Sequence, residues 1–373
     1  MKRLHEVLTP DAIRSFDQNG YYVFPAGSSP FTNDEADALH TELLGIHRRS
    51  LSEANHSSHN SSNSNSSTSH PSSTGAQQRD DVMHPNKVEF LTAQGALKLV
   101  KPNVFEFDMH AKSSATAVPK FHQFFRESMP TISSYLKAKV PTLSTLCTDP
   151  QLHMTLKLQT NTGGCFPWHY DNPSPPNKRL LTLAVYLTKD WTEAMGGEVQ
   201  LLPFLGKPVT IPPAFHTVVL FRSDLLLHRV LPLDGTKKGA RNPRCCFTVW
   251  IDGTDTNKDE EVNLRAKNLQ ESFVDVMKCS PIQRSLSRAV YDDIYKQALI
   301  DCFDKCSSCG GVSSSSKSKR AGRCEDEEDH SQLRPTTKEA LISFKLHEAH
   351  TKPLLTNAQV ATFVEYLRSK RQF

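Results

Sequence analysis

Leu152-His153-Met154-Thr155-Leu156-Lys157-Leu158-Gln159-Thr160, closed by Asn161-Thr162-Gly163-Gly164 and followed by Cys165-Phe166-Pro167-Trp168-His169, is the stretch on which the fold turns. Alternating polarity sends successive side chains to opposite faces of an extended chain, and Asn and Gly end the run, so it reads as a strand running into a turn. The pattern repeats in Leu180 to Thr188, Glu198 to Phe204, Val209 to Ile211 with Val218 to Phe221 after it, Leu226 to Leu231 and Cys245 to Ile251. Connections such as Ala194-Met195-Gly196-Gly197 are short, so neighbouring strands are expected to be antiparallel. Seven such strands predict a mainly β core closed as a jelly-roll over residues 151–253.

Outward from that core the chain turns helical at both ends. Thr9-Pro10-Asp11 opens a helix that Asn19-Gly20 ends, Tyr21 to Phe24 is a short strand, and Thr32-x-x-Glu35 is a capping box for a helix carrying Leu39, Leu43 and Leu44. These form an N-terminal support, 1–49. Residues 50–79 hold twelve Ser and four Asn with one Leu, too little apolar surface to offset the entropy of ordering, and read as a disordered insertion. Strands at Val88 to Leu91 and Leu97 to Phe107 and a helix near Val118 to Ala138 make a second support segment, 80–150. Residues 254–373 read as C-terminal helices, one from Ser280-Pro281 to about Phe303 and one capped by Thr356-x-x-Gln359, with a disordered run at about 307–333.

Composition narrows the function classes. Lys plus Arg number 44 against 40 Asp plus Glu, so bulk charge offers nucleic acid no attraction. No apolar run reaches the length of a membrane span, and the first residues lack a secretory signal, which predicts an intracellular protein, cytoplasmic or nuclear, with no membrane partner. Nine Cys, an odd number at irregular spacing, do not read as a disulfide framework and suit a reducing compartment.

The chemistry is concentrated in Trp168-His169-Tyr170-Asp171 and Leu227-His228-Arg229. Two residues apart on extended chain, His169 and Asp171 point to one side, so an imidazole nitrogen and a carboxylate oxygen can meet one metal ion. A second His from a distant strand completes three ligands on one face of an octahedron, which suits Fe(II) and leaves positions for a chelating co-substrate and dioxygen. A His-x-Asp tripeptide arises by chance in a chain with sixteen His, so the discriminating feature lies downstream. Arg244, sixteen residues after His228, opens the strand Cys245 to Trp250, where a guanidinium can hold the far carboxylate of a dicarboxylate.

The run His169-Tyr170-Asp171-Asn172-Pro173, Arg179, Val185 to Trp191, Gly196-Gly197-Glu198, Phe221-x-Ser223-Asp224, His228-x-Val230-x-Pro232 and Arg244-x-x-x-Thr248-x-Trp250 resembles the 2-oxoglutarate and Fe(II)-dependent dioxygenases of the prolyl 4-hydroxylase type, with the hypoxia-inducible-factor prolyl hydroxylase branch as the nearest likeness. The resemblance covers about a hundred residues and implies a double-stranded β-helix with flanking helices. It implies Fe(2+) held by His169, Asp171 and His228, and 2-oxoglutarate held by Arg244 with Thr248 and Tyr186 as hydroxyl partners. Gln159 stands where those relatives have a Tyr beside the co-substrate, and Arg179 where that branch has a substrate-contacting Arg. Arg241 is a rival for the 2-oxoglutarate role, because the stretch between His228 and Arg244 is longer than in those relatives. The implied reaction hydroxylates a C–H bond of a prolyl residue in a protein or peptide, consumes dioxygen, and releases succinate and CO2, with L-ascorbate as an accessory reductant. A small-molecule substrate, another side chain, or a non-catalytic binding module are the alternatives.

Other clusters invite blander readings. Cys302-x-x-x-Cys306-x-x-Cys309 with Cys324 and His330 matches no common zinc spacing. His347-Glu348-Ala349-His350 is one residue short of the i, i+4 His spacing of the zinc-protease motif, and reads as a helix terminus. Arg368-Ser369-Lys370-Arg371 reads as a solvated charge run.

Overall fold

The computed structural model describes residues 4–25, 27–60, 80–92, 95–173, 176–234, 243–254, 280–308 and 335–372. Eleven strands are present among them: β1 Tyr21–Val23, β2 His84–Thr92, β3 Gly95–Asp108, β4 Met154–Asn161, β5 Phe166–His169, β6 Arg179–Tyr186, β7 Val199–Leu202, β8 Val209–Ile211, β9 Val218–Arg222, β10 Leu227–Val230 and β11 Arg244–Asp252. They form two antiparallel sheets, a large one in the order β1-β9-β6-β11-β4-β3-β2 and a small one in the order β5-β10-β7-β8. This is the jelly-roll that the strand pattern predicts.

Alternation fixes which sheet face meets which layer. On β4 the even residues Leu156 and Leu158, and on β11 the odd residues Phe247, Val249 and Ile251, are buried in the main apolar cluster with the N-terminal helices. Those are α1 Pro10–Asn19, α2 Asn33–Asn60, α3 Pro119–Gln123 and α4 Met129–Lys139, the last two joined by a widened π turn at Phe124–Ser128. Phe247 is ringed by Phe31, Phe121 and Phe124. The other face of the large sheet turns toward the small sheet, where Tyr186, Val199, Leu201, Val219, Phe221 and Cys246 form a second cluster. A third cluster joins the small sheet to the C-terminal helices α5 Ser280–Val290, α6 Asp292–Ser308, α7 Pro335–Thr356 and α8 Ala358–Arg368.

Several boundaries differ from those the sequence predicts. Residues 150–153 are a helical turn capped by Asp149 rather than strand, and Leu152 is 74% exposed. The segments at 209–211 and 218–222 are not one unit, since β8 lies in the small sheet and β9 in the large one. Helix α2 does not stop near Ser50 but runs to Asn60. Ser50 is itself packed: its hydroxyl donates to the Ile46 carbonyl and accepts from the Met83 N–H. The long helix expected from Ser280 breaks at Tyr291. The last helix is capped by Asn357, whose side chain accepts from the Gln359 and Val360 N–H groups, while Thr356 ends the helix before it. His347 and His350 lie inside α7, with His347 Nε2 2.8 Å from Asp292 Oδ1. Arg368 and Arg371 dock on the carbonyls of Ala289 and Val290 rather than standing free.

One pair of thiols departs from the reduced state expected of the Cys. Cys165, at the start of the segment leading to His169, is disulfide-bonded to Cys302 of α6, 137 residues away. No local spacing could have announced a partner so distant. Cys309, Cys324 and His330 lie outside the described residues, as do Arg241 and positions 61–79.

Candidate active site

Strands β5 and β10 pair antiparallel with His169 and His228 as direct partners, so the two rings stand side by side with centroids 4.2 Å apart. Asp171 follows β5 by two residues and its carboxylate turns back toward both rings. His169 Nε2 is 3.7 Å and His228 Nε2 3.5 Å from Asp171 Oδ1. Among the described residues this is the one group of three or more His, Cys, Asp or Glu whose ligand atoms lie within 4.8 Å of one another.

Hydrogen bonds decide which atoms face inward. His169 Nδ1 lies 2.8 Å from the Pro167 carbonyl and His228 Nδ1 3.1 Å from the Leu226 carbonyl. A carbonyl can only accept, so each Nδ1 carries the proton and each Nε2 is directed toward Asp171. Asp171 Oδ2 accepts from Thr182 Oγ1 at 2.7 Å, and that hydroxyl is 2.7 Å from Ser223 Oγ. This leaves Oδ1 to converge with the two Nε2 atoms. Two imidazole nitrogens and one carboxylate oxygen, each oriented by a further partner, match the donor set of a facial Fe(II) site.

Charge follows the same geometry. Burial and the adjacent His228 push the His169 pKa down to about 4. Burial opposes charge on His228, but the Asp171 carboxylate outweighs it and the pKa is raised. Burial also opposes charge on Asp171, yet His228, His169 and the Thr182 bond hold its pKa far below the usual range. A carboxylate kept ionised between two rings is ready for a cation without first losing a proton.

The large sheet supplies the other half of the site. Arg244, Cys246, Thr248 and Trp250 share one face of β11, and Cys246 pairs across to Gln159 on β4 and to Tyr186 on β6. Arg244 is 1% exposed and, among the described residues, forms no ion pair with a carboxylate. Its Nε donates to the Gly197 carbonyl at 2.8 Å, its Nη1 to Cys246 Sγ at 3.3 Å, and its guanidinium lies 5.0 Å over the Tyr186 ring. A buried guanidinium lacking a counter-ion is costly unless an anion joins it, so this is where a ligand carboxylate fits. Gly197 is indispensable to the arrangement. Its φ is +79°, and a Cβ there would come within 2.8 Å of Leu233 Cδ1 and 3.1 Å of Arg244 Cδ. Burial raises the Tyr186 hydroxyl above its usual pKa, so it stays protonated as a donor.

The structure thus brings His169, Asp171 and His228 together in the small sheet, and places Arg244, Thr248, Tyr186 and Gln159 on neighbouring strands of the large sheet, whose Phe221 ring lies 4.7 Å from that of His228. Arg179 has other partners: its guanidinium lies 4.4 Å over the Trp250 ring, and Nη1 is 3.4 Å from the Asp171 carbonyl. Thr182, Ser223 and the Gly197 carbonyl are the parts that sequence reasoning missed. Gly196-Gly197 and Ser223 were visible as motif residues, but their partners lie on other strands.

Residues 152–252 match the family model described as the 2OG-Fe(II) oxygenase superfamily. Among solved structures, a prolyl 4-hydroxylase from Phytophthora capsici is similar at 29% identity, covering 99% of this chain and 94% of its own, with a TM-score of 0.64. The hypoxia-factor branch is a distant neighbour. A Trichoplax adhaerens prolyl hydroxylase in complex with a hypoxia-inducible-factor peptide fragment is 15% identical, covering 68% of this chain and 90% of its own, with a TM-score of 0.43. A Pseudomonas putida prolyl-4-hydroxylase is 13% identical, covering 66% of this chain and 98% of its own, at a TM-score of 0.42. None of the curated proteins matches the chain.

Proposed function

We propose, from the premise that residues 152–252 belong to the 2OG-Fe(II) oxygenase superfamily, that this enzyme hydroxylates a prolyl residue of a protein or peptide, consuming 2-oxoglutarate and dioxygen and releasing succinate and CO2. The observation that carries the reading is the convergence of His169, Asp171 and His228, together with a buried Arg244 that, among the described residues, forms no ion pair with a carboxylate. The prolyl substrate is supported by the likeness to the Phytophthora capsici prolyl 4-hydroxylase.

In this reading His169, Asp171 and His228 hold Fe(II), whose bound chemistry couples 2-oxoglutarate decarboxylation to C–H oxidation. Arg244 binds the far carboxylate of 2-oxoglutarate, held in aim by the Gly197 carbonyl. Tyr186 and Thr248 supply hydroxyl donors, and Gln159 lines the same pocket from β4. Arg179 braces the Asp171 segment against Trp250 at the edge where a polypeptide would enter. Helices α1 to α4 pack on the large sheet and α5 to α8 on the small one. No helix of the described residues is long and apolar enough to cross a membrane. L-ascorbate enters as a reductant in the assay.

The test is succinate release from 2-oxoglutarate by purified protein with Fe(II), oxygen and proline-containing peptides, with mass spectrometry for one added oxygen. Wild type is expected to turn over and His228→Ala to be silent. Equal rates from the two would overturn the metal assignment. Succinate formation with oxygen added only to a small molecule would replace the prolyl substrate with that class.

A further inference from the structure

Cys246 occupies a place in this pocket that its neighbours make consequential. It stands directly opposite Gln159 on one adjacent strand and Tyr186 on the other, so the three side chains form a row across the inner face of the large sheet. Its sulfur is 3.3 Å from Arg244 Nη1 and 3.7 Å from Gln159 Oε1. A protonated thiol both accepts and donates, so it can take the guanidinium N–H and give its own proton to the amide oxygen. Burial pushes the thiol pKa up, which keeps that proton in place. The Gly197 carbonyl holds the guanidinium at Nε and Cys246 holds it at Nη1, two of the five N–H donors it carries. A planar group fastened at two corners cannot rotate about its own plane.

We propose that Cys246 is a positioning residue for the co-substrate: it links Gln159 to Arg244, fixes the plane of the guanidinium, and sets the depth of the pocket that receives the far carboxylate. The inference rests on the reading that Arg244 binds 2-oxoglutarate. The linkage gives Gln159 a role: it acts on the co-substrate through the thiol. Cys246 is 3% exposed, so its sulfur occupies volume that a longer dicarboxylate would need.

The experiment is calorimetric binding of 2-oxoglutarate, and of the one-methylene-longer 2-oxoadipate, to full-length protein loaded with Mn(II) in place of iron. Cys246→Ala is expected to bind 2-oxoglutarate about five- to tenfold more weakly, the worth of one ordinary hydrogen bond. Its ratio of 2-oxoadipate to 2-oxoglutarate affinity should rise by roughly the same factor, because the pocket deepens as the bond is lost. Cys246→Ser should recover most of the 2-oxoglutarate affinity. Gln159→Leu should weaken binding too, and the Gln159→Leu/Cys246→Ala pair should lose no more than the larger single loss. In turnover the effect should appear in KM for 2-oxoglutarate with kcat little changed, which a merely structural defect would not produce. Cys246→Ala binding within about twofold of wild type, with an unchanged ratio, would overturn the proposal. If Cys246→Ala does not fold, Cys246→Val and Gln159→Leu decide: additive losses in their double variant would overturn it equally. Arg244→Met separates the two readings. If it binds 2-oxoglutarate normally, the co-substrate assignment itself fails; if it loses binding while Cys246→Ala does not, only the role of Cys246 fails.

Discussion

At the residue scale the site is organised by groups that never touch a ligand. Thr182 donates to Asp171 Oδ2 and shares its hydroxyl with Ser223, so the carboxylate is clamped with one oxygen turned toward the two His. Outer partners of this kind typically change metal affinity by about 10–100-fold. Thr182→Val keeps the shape of the side chain and removes the bond. It is therefore expected to weaken Mn(II) or Fe(II) binding by roughly that factor in a chelator competition, with little change in melting temperature. His169 and Asp171 were legible in the sequence because a two-residue spacing on extended chain is a geometric statement in itself, although Asp171 stands just past the end of β5. Thr182 was not, because only the folded sheet brings it from eleven residues away onto Asp171. Arg179 shows the converse. Its position beside the site could be inferred, but its attachment to Trp250 and the Asp171 carbonyl depends on where β6 and β11 end.

At the scale of elements the strands were read closely and the helices less so. Period-two alternation on β4 and β11 follows directly from which face is buried, and the pairing of Arg244 to Ile251 with Asn161 to Met154 is unbroken. Helix α2 outran its reading because serine-rich composition marks poor hydrophobicity, whereas a helix nucleated and anchored by Leu43 and Ile46 extends at one hydrogen bond per residue. That helix also carries a titrating contact. His47 is 3% exposed, and its Nδ1 is 2.9 Å from Thr160 Oγ1 of β4. Burial and the nearby Arg48 lower its pKa below the ordinary 6.5. A His buried in its neutral form contributes stability that is complete above the unfolded-state pKa and is lost as pH falls, because the unfolded chain takes up the proton first. The urea midpoint is expected to fall between pH 7.5 and 5.5, and His47→Gln to flatten that part of the profile. A variant profile parallel to wild type would remove His47 from the acid response.

For the whole molecule, the C-terminal helices are fastened to the strand that bears His169. Lys101 of β3 reaches Glu339 of α7 at 2.8 Å, donates to the Cys165 carbonyl at 3.0 Å and lies 4.5 Å over the Phe166 ring. The Cys165–Cys302 bridge crosses the same seam. Lys101 is 5% exposed, so removing it strands a largely buried carboxylate. Lys101→Met is expected to cost about 3–5 kcal/mol of stability, and Lys101→Met/Glu339→Leu to recover most of that in denaturant titration. None of this was legible beforehand, since the partners lie far apart in the chain, 64 positions for Lys101 and Cys165 and 137 for Cys165 and Cys302, and a pairing needs the surface on which it closes. The division of the site between two sheets has a consequence for how this chain can vary. His228 is indexed by β5 and β7, and Arg244 by its partner Asn161 on β4, so each is set by its own neighbours and not by the distance between them. The number of residues between His228 and Arg244 is therefore not what aligns the two halves of the site. A single residue inserted between Asp224 and His228 is another matter. It would present Leu227 where His228 belongs and extinguish the metal site in one step, as a frame error does to a message.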